Sequence, residues 1–163
     1  MTIELVECLQ LTPHPEGGYF RRTFVSEYVT DVPDGQKRQM ASAIFYYLKG
    51  TDFSTWHRLA VQDEIFHHYA GSSVTIHVID SKGALTHLNL GIPTVDNPNC
   101  LPQQIIRAGS WFAVEVDCSN SFSLMGCTLT PQFTVDDFAM PTAAELLAQF
   151  PQHQDIIKRL TRE

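Results

Sequence analysis

The middle of the chain is a succession of short apolar runs separated by turn residues. From Tyr19 to about Thr134 these runs are rich in Val, Ile, Thr, Phe and Tyr, and the turn sequences VPDGQ, LKGTD, YAGSS, DSKGA and DNPNC interrupt them. β-Branched and aromatic residues favour strands, whereas glycine, proline, asparagine and aspartate favour turns. About nine or ten strands at such short intervals leave no room for crossover helices, so the pattern predicts an all-β sandwich or barrel.

Helical patterns lie only near the two ends of the chain. The stretch IELVECLQL has apolar residues at helical spacing and stops before Pro13. Near the C-terminus, Thr142 and Glu145 have the spacing of a capping box ahead of an apolar run, Pro151 interrupts that run, and QHQDIIKRL predicts another helix. Without internal repeats or a linker, the sequence predicts a single domain over residues 1–163 with short terminal helices.

Composition limits the partners of the protein. The formal net charge is -7 and the 11 Lys and Arg residues are scattered, so no surface for nucleic acid is predicted. The N-terminal segment lacks the layout of a signal peptide, and no apolar run approaches the roughly 18 residues of a membrane-spanning helix. We therefore expect a cytoplasmic protein that contacts neither nucleic acid nor membrane.

The stretch HRLAVQDEIFHHYAG at residues 57–71 is the densest group of ionisable side chains. Strand alternation places Glu64, Phe66 and His68 on one face. A tightly held metal needs three or four converging donors, but His68 lies roughly 13 Å beyond Glu64 along a strand. We therefore expect no metal and no other cofactor, and a divalent metal at His57 and Glu64 is the less favoured alternative.

A second informative stretch, HPEGGYFRRTF, covers residues 14–24. Its paired glycines allow a sharp turn, and the strand that follows places Arg21 and Arg22 on opposite faces. The planar guanidinium fork of an arginine suits a carboxylate or phosphate. Glu16 is either a pocket residue or part of the turn.

Four blocks of sequence together resemble the cupin 5 family, a branch of the cupin superfamily whose activity is unassigned. The blocks are LTPHPEGGYFRRTF, FSTWHRLAVQDEIFHHYAG, AGSWFA and GCTLTPQFTVDDF. They occur in the family's order and cover the chain from about residue 11 to residue 138. This resemblance implies a double-stranded β-helix, that is, a cupin jelly-roll barrel, and usually a homodimer.

The two sequence motifs of the cupin superfamily are only partly matched. The first motif is His-x-His, three or four residues, Glu, six residues, Gly, and His57, Glu64 and Gly71 have its spacing. Leu59 stands in place of the second histidine, and Phe112 stands where the second motif has its histidine ligand. The resemblance therefore implies that two of the four metal ligands are missing.

The resemblance also suggests a chemistry that needs no metal. Cupin-fold sugar epimerases use a histidine base and a tyrosine acid inside the barrel, and a carboxylate beside His57 would raise the pKa of that base. We therefore favour a metal-independent isomerase or epimerase acting on a carbohydrate or nucleotide-sugar-like ligand, with His57 and Glu64 as the acid/base pair. Tyr19 is the preferred acid. The other candidate acids are Tyr46, Tyr47 and Tyr69.

Further residues are expected to contact the ligand. The family pattern carries an arginine at the position of Arg21, so Arg21 is the preferred anchor. The remaining expected contacts are Glu16, Phe66, His68 and Trp111. Two alternatives remain open: a non-catalytic ligand-binding cupin, in which His57 and Glu64 are only a polar pair, and a metal-dependent cupin enzyme of the dioxygenase type.

Overall fold

The structure is a computed structural model and describes residues 2–162. It contains thirteen strands and three α-helices, with two short 3-10 turns at Val135–Asp137 and Pro151–His153. In chain order the elements are α1 (Thr2–Cys8), β1 (Thr12–Pro13), β2 (Tyr19–Val25), β3 (Val29–Asp31), β4 (Lys37–Gln39), β5 (Ser42–Lys49), β6 (Phe53–Leu59), β7 (Asp63–Gly71), β8 (Val74–Ile79), β9 (Leu85–Leu90), β10 (Gln103–Ile106), β11 (Trp111–Val116), β12 (Phe122–Thr130), β13 (Phe138–Ala139), α2 (Ala143–Gln149) and α3 (Gln154–Arg159).

Two antiparallel sheets build the barrel. One has the strand order β1-β2-β5-β12-β7-β10 and the other has the order β13-β6-β11-β8-β9, while β3 and β4 form a separate ribbon. Neighbours in both sheets include strands that are distant in sequence, as in a jelly roll. The predicted all-β fold is thus confirmed. Within residues 2–162, no helix has the length and apolar character needed to cross a membrane.

The main hydrophobic core lies between the two sheets. Strand alternation sends Phe66 of β7 and Phe112 of β11 into it, where their rings meet edge to face at a centroid distance of 6.2 Å. Leu59, at the end of β6, belongs to the same core. Val74, Ile76 and Val78 of β8 complete the packing, and they alternate with Thr75 and His77, which point to the other face of the sheet.

The C-terminal helices cover the outer face of the five-stranded sheet. Trp56 and Trp111 point to this side and pack with Leu146 of α2 and Ile157 of α3. The Trp56 indole N–H donates a hydrogen bond to the carbonyl oxygen of Ile156 at 3.3 Å. These contacts form a second core, so α2 and α3 are integral parts of the fold.

The start of α2 follows the sequence prediction. The hydroxyl of Thr142 accepts a hydrogen bond from the backbone N–H of Glu145 at 3.2 Å, and the Glu145 carboxylate accepts one from the backbone N–H of Thr142 at 2.8 Å. This reciprocal arrangement is the predicted capping box. The break at Pro151 and the helix after it are confirmed as well.

Truncating Leu146 to alanine is expected to lower the free energy of unfolding by about 3 kcal/mol, because it opens a cavity in the second core. Urea denaturation measures the change. Val95→Ala is the matched control, since Val95 is 98% exposed and its truncation is expected to cost less than about 0.5 kcal/mol. Equal small effects of both changes would show that α2 contributes little to the stability of the sheet.

The segment TVDDF before β13 is fixed by a buried aspartate, although its composition is that of a solvated turn. Asp137 is buried and forms an ion pair with the guanidinium of Arg38. Its carboxylate also accepts hydrogen bonds from the Gln62 amide at 2.7 Å and the Thr134 hydroxyl at 2.6 Å. These bonds fix the segment, and its neighbour Phe138 thereby becomes part of a cavity wall.

Candidate functional site

A cavity of about 390 Å³ opens at one end of the barrel. Its walls come from β2, β5, β6, β7, β12 and β13, together with the turn before β2 and the segment before β13. The apolar wall residues are Pro15, Phe20, Ile44, Leu59, Leu129, Phe133, Val135 and Phe138. The polar ones are His14, Glu16, Arg22, Ser42, His57, Glu64 and Cys127. A mostly apolar cleft with a few converging polar groups is typical of a small-molecule site.

The turn at residues 14–18 carries Glu16 into the cavity. Gly17 and Gly18 have φ angles of +114° and +69°, which only glycine adopts readily. A Cβ atom at Gly17 would lie 2.2 Å from the carbonyl oxygen of Phe53, so the close approach to β6 requires glycine there. The backbone N–H of Thr55 donates to the carbonyl oxygen of Glu16 at 2.9 Å. The turn is thus tied to β6, and Glu16 is both a turn residue and a cavity residue.

His57 is the central residue of the site. It is 3% exposed, and its Nδ1 lies 2.7 Å from the carbonyl oxygen of Thr55. A carbonyl oxygen only accepts hydrogen bonds, so Nδ1 must carry the hydrogen. Burial lowers the pKa of His57 to about 4, against the opposing effect of the Thr55 hydrogen bond. The imidazole is therefore neutral at neutral pH, and its Nε2 carries a lone pair.

The carboxylate partner of His57 is Glu16. The His57 Nε2 atom lies 3.2 Å from Oε2 of Glu16. Burial raises the pKa of Glu16, which favours a proton on this carboxyl group. Because Nε2 carries a lone pair, this short contact is favourable when one proton lies between the two atoms. Our sequence expectation that a carboxylate raises the pKa of His57 is wrong, because burial outweighs the effect of the partner.

A second imidazole approaches Glu16 from the turn. Nδ1 of His14 lies 3.7 Å from Oε2 of Glu16 and accepts a hydrogen bond from the Glu16 backbone N–H at 3.2 Å. Burial lowers the pKa of His14, so this ring is also held towards its neutral form. The His14 imidazole itself lowers the pKa of Glu16, so it opposes part of the effect of burial on this carboxyl group.

Glu64 lines the same cavity from the start of β7. Burial is the main cause that raises the pKa of Glu64 to about 8. The thiol of Cys127 on β12 hydrogen-bonds to Glu64, and burial keeps the pKa of that thiol well above its usual range. At neutral pH the cavity therefore holds a protonated carboxyl at Glu64 and an unprotonated imidazole at His57. The carboxyl group thus has a higher pKa than the imidazole, the reverse of the ordinary order, and this suits an acid and a base that work together.

The structure brings together three of the predicted site residues, His57, Glu64 and Glu16, in one cavity. It places the other five elsewhere. These are Tyr19, Arg21, Phe66, His68 and Trp111.

Tyr19 and Arg21 lie on the face of β2 that points away from the cavity, because Phe20 and Arg22 occupy the inward positions. The Tyr19 ring packs against Tyr47, and the Arg21 guanidinium lies 5.5 Å from the centroid of the Phe45 ring. Arg22 is the arginine that lines the cavity. Its alternation with Arg21 is visible in the sequence, but the sequence does not say which face turns inward.

The other three residues, Phe66, His68 and Trp111, also lie outside the cavity wall. Phe66 packs in the main core against Phe112, and His68 lies further along β7 with its Nε2 3.1 Å from the Ser72 carbonyl oxygen. Trp111 points to the outer face of its sheet, where Arg58 stacks at 4.5 Å from its ring centroid. In the part of the chain that the structure describes, the cavity wall contains no tyrosine; the Tyr46 hydroxyl donates to the Gly17 carbonyl oxygen at 2.9 Å.

The surroundings of His57 do not suit a metal ion. Leu59 forms the adjacent wall, and the ring of Phe112 lies 4.0 Å from the His57 ring between centroids. Among the side chains of residues 5–162, no group of three or more His, Cys, Asp or Glu is placed to hold a metal ion. We therefore derive no chemical step through a metal.

Solved structures resemble this chain over its whole length. A crystal structure of a protein from Shewanella oneidensis has 35% sequence identity and a TM-score of 0.88, and the match covers 98% of this chain and 96% of that one. A protein from Leishmania major has 29% identity and a TM-score of 0.90, with full coverage of both chains.

More distant structures share the fold alone. Oxalate decarboxylase from Bacillus subtilis has 14% identity and a TM-score of 0.58, and the match covers 91% of this chain and 36% of the enzyme. The comparison with curated proteins gave no match. Residues 3–141 match the family described as Cupin superfamily (DUF985). The chain therefore belongs to this family of the cupin superfamily, as its sequence blocks and its barrel both indicate.

Proposed function

We propose that the cavity binds a small organic molecule and moves a proton to or from one of its carbon atoms. The protein would then be a metal-independent isomerase or epimerase acting on a carbohydrate or nucleotide-sugar-like compound. One observation carries this proposal: the neutral imidazole of His57, fixed at Nδ1 by Thr55, lies 3.2 Å from a buried carboxyl group inside a cavity.

The pair of His57 and Glu16 is the base in this scheme. With one shared proton already present, uptake of a second proton from the substrate carbon gives an imidazolium hydrogen-bonded to a neutral carboxylic acid. The Thr55 carbonyl oxygen stabilises that imidazolium through the Nδ1–H bond. Efficient proton transfer requires groups whose pKa values lie near the working pH in the occupied site, and substrate binding can tune them further.

Glu64 replaces tyrosine as the acid. As the C–H bond breaks, its electron pair moves towards a neighbouring carbonyl group, whose oxygen takes the proton of Glu64 and gives an enediol. Return of a proton to carbon from the opposite side would invert the centre, and return to the neighbouring carbon would isomerise the compound. The elevated pKa of Glu64 supplies the protonated acid that this step requires at neutral pH.

Proton exchange in deuterium oxide tests this function. The protein is incubated with a panel of keto sugars and nucleoside diphosphate sugars, and proton NMR follows the loss of C–H signals. We expect deuterium to enter at least one compound that binds in the cavity. If compounds bind but none exchanges a proton, the second candidate, a non-catalytic ligand-binding cupin, is supported. The mutual pairing of the polar groups at Glu16 favours this candidate.

Metal content tests the remaining alternative. Protein purified without a histidine tag or added metal is expected to contain no stoichiometric transition metal, because a tightly bound ion needs three or four converging donors. Elemental analysis measures this directly. Stoichiometric iron, manganese, nickel or zinc would favour a metal-dependent cupin enzyme.

A further inference from the structure

One arginine of this protein has no partner within the described residues. Six of the seven arginines contact an acidic group, an amide or an aromatic ring. They are Arg21 with Gln10 and Phe45, Arg38 with Asp137, Arg58 with Trp111, Arg107 with Asp63, Arg159 with Glu115 and Arg162 with Asp52. Arg22, on β2, is the exception among the side chains that the structure describes, those of residues 5–162, and it lines the cavity.

The position of Arg22 on β2 is fixed by strand pairing. Its register partner on β5 is Ile44, and both side chains contribute to the cavity wall. Arg22 is exposed, as is Val135 across the opening, whereas His57 and Glu64 are buried. Arg22 therefore stands at the mouth of the cavity and the acid/base groups stand at its floor.

The charge of the cavity wall is consequently positive at neutral pH. Burial holds both carboxyl groups at the floor towards their neutral forms and keeps the two histidines unprotonated. The guanidinium of Arg22 stays charged at any physiological pH. A cation with five donors and no acidic partner among the described side chains, at the entrance of an apolar cleft, attracts an anion.

We propose that the ligand of this cavity is a small organic anion whose carboxylate or phosphate is bound by Arg22. Between the mouth and the floor, the wall is formed by aromatic and aliphatic side chains, notably Phe20, Phe133 and Phe138. These walls pack against the less polar faces of the ligand, such as the C–H face of a sugar ring, and the far end of the ligand carries an oxygen that hydrogen-bonds near Glu64. This inference rests on the proposed function only in taking the cavity as the ligand site.

Paired probes with and without the anion test the proposal. Benzoylformate and its methyl ester share an aromatic ring and a keto group and differ in charge, while phenyl phosphate and phenol form the corresponding phosphate pair. Saturation-transfer NMR titration of the wild-type chain should show roughly tenfold tighter binding of at least one anion than of its uncharged counterpart. The better anion identifies carboxylate or phosphate as the natural group.

Arg21→Gln and Arg22→Gln form a matched pair of variants, because the two arginines are adjacent and only Arg22 lines the cavity. Arg22→Gln should lose the preference for the anion by about tenfold, and Arg21→Gln should retain it. Both side chains lie at the surface, so unchanged circular dichroism and Tm will show that both variants fold. Three results would overturn the proposal. The wild type could bind each anion no more tightly than its uncharged counterpart, or it could bind neither anion. Alternatively, the two variants could lose the preference for the anion to the same extent.

His57→Gln separates this inference from the proposed function. The variant should keep the Arg22-dependent preference for the anion, because position 57 lies at the floor and carries no net charge in either protein. If wild-type protein shows anion preference without proton exchange on any ligand, the proposed function fails and the anion site stands. If proton exchange occurs on an uncharged substrate and Arg22→Gln does not change its rate, the anion site fails and the proposed function stands.

Discussion

Replacing His57 by glutamine is expected to slow proton exchange on a bound substrate by about 10²–10⁴-fold, the usual contribution of a general base. Glutamine can fill the buried site and can still donate a hydrogen bond to the Thr55 carbonyl oxygen, which His57 contacts at 2.7 Å. Its amide cannot accept a proton from carbon. The measurement is the rate of deuterium incorporation at saturating ligand.

The control for this change is His67→Gln. His67 lies away from the cavity, where its ring stacks with Tyr69 at a centroid distance of 6.5 Å. We expect the control to exchange at the wild-type rate and both variants to keep the wild-type Tm. An unchanged exchange rate in the His57 variant would remove this imidazole from the mechanism, and slow exchange in both variants would indicate a general structural effect.

Replacing Glu64 by glutamine is expected to stabilise the protein at alkaline pH. The folded-state pKa of about 8 lies above the ordinary value of 4.5, so the folded chain holds an extra proton between these two values. The free energy of unfolding of the wild type therefore falls as the pH rises through this window. Glutamine has nearly the volume of glutamate and stays neutral, so the free energy of unfolding of the variant does not fall in this way.

The size of the effect follows from the pKa difference. Each pKa unit corresponds to about 1.4 kcal/mol, so the wild type should lose about 4 kcal/mol relative to the variant between about pH 5 and about pH 9. His57 acts in the opposite direction, since its lowered pKa makes stability rise with pH up to about its ordinary value of 6.5. That contribution is common to both proteins and cancels in the comparison.

Urea denaturation at a series of pH values measures the two stability curves. Glu27→Gln serves as the control, because Glu27 is exposed on the loop before β3. Its curve should run parallel to that of the wild type. A Glu64→Gln curve that also runs parallel would show that this carboxyl group is ionised in the folded protein, and it would remove Glu64 as the acid.

The barrel and part of its site could be predicted from local patterns. Alternation places His57 and Leu59 on one face of β6 and Arg58 on the other, and the structure turns the first of these faces towards the cavity. The capping box at Thr142 depends on neighbouring residues only, so it is equally visible in the sequence. Features of this kind require no knowledge of which strands pair.

Other parts of the site depend on contacts between distant segments. Alternation assigns Arg21 and Arg22 to opposite faces, but the inward face is chosen by the pairing of β2 with β5. The contact between Glu16 and His57 arises because the glycine turn packs against β6. In the same way, the burial of Asp137 depends on Arg38, which arrives from another strand.

The proposed chemistry requires that His57 is a neutral base held by Thr55 beside a protonated carboxyl group. Long-range ¹⁵N–¹H correlation NMR of the labelled protein reports the protonation and tautomer of this imidazole directly. We expect a neutral ring with its hydrogen on Nδ1 at neutral pH, persisting until the pH approaches about 4. An imidazolium signal at neutral pH, or a neutral ring with its hydrogen on Nε2, would contradict it.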